Sequence, residues 1–119
     1  MSGDGIVYKI VSRSEWEAAC REGAFAGSAD DARDGFIHLS TAEQVAGTAA
    51  RHFRGCADLL LVALDAARLS APLRWEVSRG GALFPHLYGR METDAAIRVL
   101  SLTLDASGVP VVPEGLARC

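Results

Sequence analysis

Apolar and polar positions alternate in two rhythms along this chain and divide it into strand-like and helix-like stretches. IVYKIV at 6–11 is β-branched and aromatic with a period of two, which predicts a strand with Ile6, Tyr8 and Ile10 on one face and Lys9 on the other. Ser12 and Glu15 then form an S-x-x-E capping box, Trp16, Ala19 and Cys20 recur at helical spacing, and Gly23 supplies a stop, so a short amphipathic helix follows. The stretch GSADDARDG is polar and non-periodic and reads as a loop that carries its charge into solvent. FIHL is a short strand placing Phe36, His38 and Ser40 on one face and Ile37 and Leu39 on the other. Thr41 with Gln44 repeats the capping pattern and opens a helix from about Ala42 to Arg54, with Arg51, His52 and Arg54 suited to the negative end of its dipole and Gly55 as the stop.

The second half is richer in strands. DLLLVALDA reads as a buried strand, LRWEV as a strand alternating Leu73, Trp75 and Val77 against Arg74 and Glu76, and AAIRVLSLTL as a last long strand. Between the last two, the paired glycines of GGALFPHLYGR supply a turn. Pro85 restricts Phe84 to an extended shape, so His86 and Tyr88 are expected on a stiff loop or edge strand. The tail at 105–119 contains two prolines and two glycines and reads as extended or loosely ordered. The pattern predicts an α+β protein with one domain at 1–104, a size that supports one core and one site.

Composition narrows the function classes. The longest apolar run, LLLVAL, is far short of the roughly 20 residues a membrane span needs, and the polar start MSGDG does not resemble a signal peptide, so a cytoplasmic protein without membrane partners is expected. Three cysteines, Cys20, Cys56 and Cys119, are odd in number and widely spaced, which argues against a disulfide framework or zinc knuckle. Two read as core filler and the third as a frayed end. A net charge of -3 gives no basic face for extended nucleic acid but leaves room for a small anionic ligand. Eleven of the twelve basic residues are arginine, which singles out Lys9 as the sole lysine.

The candidate chemistry lies with two of the three histidines. A neutral imidazole donates from one nitrogen and accepts at the other, so strand-borne His38 beside Ser40 can hold a substrate hydroxyl or move a proton near neutral pH. The plainer alternative is a core histidine satisfied by a backbone carbonyl. His86 is a second candidate on its stiff segment, against the alternative that Phe84, Leu87 and Tyr88 merely plug the core around it. Glu76, ten residues earlier on the polar face of LRWEV, is a candidate general base or ribose-binding carboxylate. GxGxxG, GxxxxGK[ST], GxSxG and HExxH are all missing, and the histidines are not spaced as a local metal site.

VYKI, SEWEAACREG, DGFIHLSTAEQVAGTA and RWE with GGALFPHLYG together resemble the DUF952 family over roughly residues 6–104. That family is similar in fold to the ADP-ribosyltransferase superfamily, including the tRNA 2'-phosphotransferases, whose HIHL-type segment resembles FIHL. The resemblance implies a split antiparallel sheet with two short helices and a pocket for NAD or a related nucleotide as substrate, with no tightly bound cofactor. By the same resemblance Lys9 falls on the position that holds the NAD ribose, His38 on the one beside the nicotinamide and Glu76 on the late-strand carboxylate. His86 has no counterpart in the superfamily and rests on the FPHLYG segment; with it, His38, Glu76 and His86 are the expected catalytic groups, and Lys9, Ser40 and Tyr88 the expected binding groups. Lysine departs from the family's histidine and donates without accepting, which leaves it a phosphate-binding role. A non-catalytic small-molecule-binding or accessory protein is the alternative.

Overall fold

The computed structural model of the protein describes residues 5–113. The fold is α+β, built on antiparallel sheets. The first sheet has the order β1-β4-β8, from β1 (Ile6–Ser12), β4 (Leu59–Asp65) and β8 (Ala96–Leu102). The second has the order β3-β6-β5, from β3 (Ile37–His38), β6 (Leu83–Leu87) and β5 (Leu73–Val77). A two-residue ladder joins β2 (Ala24–Phe25) to β7 (Met91–Glu92). The helices are α1 (Arg13–Glu22), α2 (Ala29–Asp34) and α3 (Ala42–His52).

β4 is the unbroken apolar strand the sequence predicts, and it is covered on both faces. Val62 and Leu64 pack with Val7, Val11 and Trp16, whereas Leu61 and Ala63 pack with Tyr8, Ile10 and Val45 under α3. The alternation in β1 therefore separates two cores, and Lys9 shares its strand face with Val7 and Val11. The two sheets touch where Tyr8 and Ser40 exchange backbone hydrogen bonds of 2.8 and 2.9 Å. Lys9 is the next residue of β1 after that bridge.

Four expectations are corrected. GSADDARDG is not a loop: Ser28 and Asp31 make a capping box, Gly35 closes α2 in the left-handed region at φ 87°, and Asp31 is buried. The described residues thus hold three α-helices rather than two. LFPHL is neither loop nor edge but the central strand β6, because the only pairing Pro85 is asked to make toward β3 uses its carbonyl, which accepts from the Leu39 amide at 3.0 Å. β5 keeps its predicted alternation, yet Trp75 and Val77 are exposed, since β5 is the sheet edge and only Leu73 reaches the core. Cys20 and Cys56 are exposed and not core filler. With about 100° per helical residue, the buried stripe of α1 runs from Trp16 toward Ala19 and leaves Cys20 on the other flank.

The tail is better ordered than its composition implies as far as residue 113. Asp105 accepts from the amides of Ser107 and Val109, and Leu104 bridges Pro110. Cys119 and the remainder of the tail lie outside the described residues. No helix among the described residues is long and apolar enough to cross a membrane.

Candidate functional site

His38 and His86 are cross-strand partners. β3 pairs with β6 so that His38 lies opposite His86, and β5 pairs with β6 so that Arg74 lies opposite His86. Side chains directly across from one another, and those two residues on, share a face. One face of this sheet therefore gathers Phe36, His38, His86, Tyr88, Arg74 and Glu76, while Ile37, Leu39, Leu73 and Leu87 turn to the core. The imidazole centroids are 5.7 Å apart, and Phe36 lies against both, stacked on His86 at 4.1 Å and tilted against His38 at 4.7 Å.

Each imidazole is held by carboxylate. Glu76 accepts from Nδ1 of His86 at 2.7 Å and from the Tyr88 hydroxyl at 2.8 Å. With Nδ1 donating, the neutral ring presents Nε2 as an acceptor. The hydrogen bonds from His86 and Tyr88 hold the Glu76 carboxyl below its usual range, and the same contact with Glu76 pushes the Tyr88 phenol up. The guanidinium of Arg74 lies 5.2 Å from the Tyr88 ring centroid.

His38 is engaged at both nitrogens, Nδ1 with Asp31 at 2.6 Å and Nε2 with Asp34 at 2.9 Å. The first partner is buried and the second partly open. Asp31 is the hub of this wall. Its carboxylate meets Lys9 Nζ at 3.0 Å and also accepts from the backbone amides of Ser28 and His38. Burial alone raises its pKa, but the His38 hydrogen bond, the Lys9 charge and the two amides outweigh it and hold the carboxyl well below the usual range. Lys9 also donates to the His38 carbonyl at 2.9 Å, and burial lowers the pKa of its ammonium against the pull of Asp31. Gly27 permits this approach, because at φ 117° a Cβ there would stand 3.0 Å from that of Asp31.

Lys9, His38, Ser40 and His86 line one cavity of about 390 Å³ at the split between the sheets. Small-molecule sites span roughly 300–1,000 Å³. Ser40 is buried there and its hydroxyl lies 3.1 Å from that of Thr48, on α3, rather than bonding to His38. Glu76 and Tyr88 do not line the cavity; they stand behind His86. The ammonium that the sequence offers to a phosphate is engaged with Asp31 and the His38 carbonyl.

Sequence reading missed Asp31 and Asp34, whose strip of α2 faces the cavity, along with Phe36 as the ring between the histidines. It also gave Arg51 and His52 only a helix-dipole role, although both line the cavity. The available signal was spacing. Thr48, Arg51 and His52 lie three and four apart on one helix face.

The profile of a family described as a protein of unknown function, DUF952, matches residues 10–99. The crystal structure of CC0527 from Caulobacter crescentus is 54% identical, with a TM-score of 0.86 over 89% of this chain and 93% of that one. The solution NMR structure of CC0527 is also 54% identical, with a TM-score of 0.78 over 88% and 90%. No curated protein matches the chain.

Proposed function

The chain belongs to the DUF952 family, and from that premise we propose that its histidine-lined cavity is a pocket of ADP-ribosyltransferase type that binds NAD or a related nucleotide. The observation that carries this reading is the convergence of Lys9, His38, Ser40 and His86 on one cavity, with a carboxylate behind each imidazole. Lys9, His38 and Glu76 come from β1, β3 and β5, the three places where the resemblance puts ribose-holding, nicotinamide-side and carboxylate positions. Glu76 on β5 does not face the cavity; His86 on the neighbouring strand β6 does, and Glu76 acts through it.

The chemistry follows from the ring nitrogens. His86, with Nδ1 fixed on Glu76, is the proton acceptor of the site. In NAD cleavage, water attacks C1′ of the nicotinamide ribose, the bond to the nicotinamide nitrogen breaks with its electron pair, and Nε2 of His86 takes the proton of the water. His38, tied at both nitrogens, shapes the pocket wall, and its contact with partly open Asp34 is the one a ligand can displace. Ser40 offers a hydroxyl to the sugar. Lys9 sets the position of His38 through its carbonyl and through Asp31.

Calorimetric titration with NAD, ADP-ribose and 2′-phosphorylated nucleotides tests the proposal. At least one is expected to bind at micromolar to millimolar concentration. No binding to any of them at millimolar concentration overturns it. The engagement of Lys9 and of both His38 nitrogens within the protein favours a second reading, a small-molecule binder or accessory protein without turnover. Binding without release of nicotinamide at any pH selects that reading.

A further inference from the structure

Resting on the nucleotide reading above, we infer that the α3 wall of the cavity is an anion subsite in which Arg51, flanked by Thr48 and His52, takes a phosphate group of the ligand. α3 turns Val45 and Ala49 into the core beneath β1 and β4. Its positions 48, 51 and 52 line the cavity instead. The helix dipole accounts for basic residues in the last turn. It does not select a hydroxyl at 48, and it does not bring that hydroxyl within 3.1 Å of buried Ser40.

The two walls of the cavity differ in how their charges are answered. On α2, Arg33 bridges Asp30 at 3.0 Å and Asp34 at 3.1 Å. Asp31 is matched by Lys9, and His38 stands between Asp31 and Asp34. Each charge on that wall has a partner within the protein. Arg51, on α3, also lines the cavity and makes no hydrogen bond or ion pair with any described residue. A guanidinium beside a cavity with no internal counter-charge is suited to an external anion, and its planar fork matches two oxygens of a phosphate. The Thr48 hydroxyl, accepting from Ser40, has its own O–H left as a further donor in the same cavity. A phosphate held at α3 leaves the sugar of a nucleotide free to extend across the cavity toward His86 on β6.

The test is an NMR titration of the whole chain with inorganic phosphate, followed by nicotinamide mononucleotide and by the riboside that lacks its phosphate. Inorganic phosphate is expected to move the amides of Thr48, Arg51 and His52 along one binding curve, and Arg51→Gln to weaken that binding about tenfold, a loss of about 1.4 kcal/mol. The mononucleotide is expected to bind wild type about tenfold more tightly than the riboside. Arg51→Gln should erase that preference and leave riboside affinity unchanged. Arg51 is exposed, so the variant keeps the fold. Phosphate shifts that spare α3, or both nicotinamide ligands binding more tightly than phosphate and with equal affinity, overturn the subsite. Phosphate bound at Arg51 with neither nicotinamide ligand binding more tightly than phosphate keeps the subsite and discards the nucleotide reading.

Discussion

Asp31→Asn is expected to destabilise the protein by about 3–5 kcal/mol, because removing one member of a buried ion pair strands the other. Lys9 is the stranded group: its ammonium is buried, and Asp31 is its only carboxylate partner among the described residues. The same substitution leaves one amide oxygen in place of two carboxylate oxygens, so it cannot accept both from His38 Nδ1 and from the Ser28 amide that caps α2. Chemical denaturation measures the loss. The double variant Lys9→Met/Asp31→Asn should recover much of it, since an apolar side chain does not need a counter-charge there. If the double variant is no more stable than Asp31→Asn alone, Lys9 is not the source of the cost.

The pair also sets the acid limb of stability. A carboxyl whose folded pKa lies below its unfolded value of about 3.9 contributes stability above that value, and the contribution fades as pH falls toward the folded pKa. Asp31 is such a group. Between about pH 4 and pH 2 the wild type should lose stability more steeply than the double variant.

His86→Ala is expected to lower kcat for nicotinamide release by about 10²–10⁴-fold, the usual contribution of a positioned general base. KM should change less, because the base acts on the nucleophile in the transition state. The ring is buried and bonded to Glu76, so truncation also costs about 1–3 kcal/mol of stability. Glu76→Gln separates the two effects. It leaves the ring in place and removes the charge behind it, so it should reduce kcat by less than His86→Ala with the fold intact. Steady-state kinetics of both variants checks this, and a wild-type kcat in His86→Ala contradicts the assignment.

The legible parts of this fold were those in which one local pattern carries the answer. Capping boxes at Ser12 and Thr41 mark the starts of α1 and α3, and the apolar run of β4 marks the strand covered on both faces. Alternation in FIHL put Phe36, His38 and Ser40 on one face. What the sequence concealed depends on partners far along the chain. α2 has no apolar stripe, and its one buried residue, Asp31, is explained by Lys9, 22 positions earlier, and by His38, 7 positions later. β6 was obscured by Pro85, whose lack of an amide is harmless only because of where β3 pairs with it. The link from Glu76 to the cavity is likewise a diagonal contact across β5 and β6, invisible until the register is known. Arg51 and His52 had a sufficient local explanation at the end of α3, which hid the cavity they face.

The central claim is that one nucleotide-binding cavity lies between His38 and His86. It is tested most directly by NMR of protein labelled with ¹⁵N in its histidine rings, titrated with NAD and with ADP-ribose. The account predicts that the ring resonances of His38 and His86 move together along a single binding curve, with the Nε2 signal of His86 changing most. Histidine rings that stay unmoved at millimolar concentrations of both ligands contradict it.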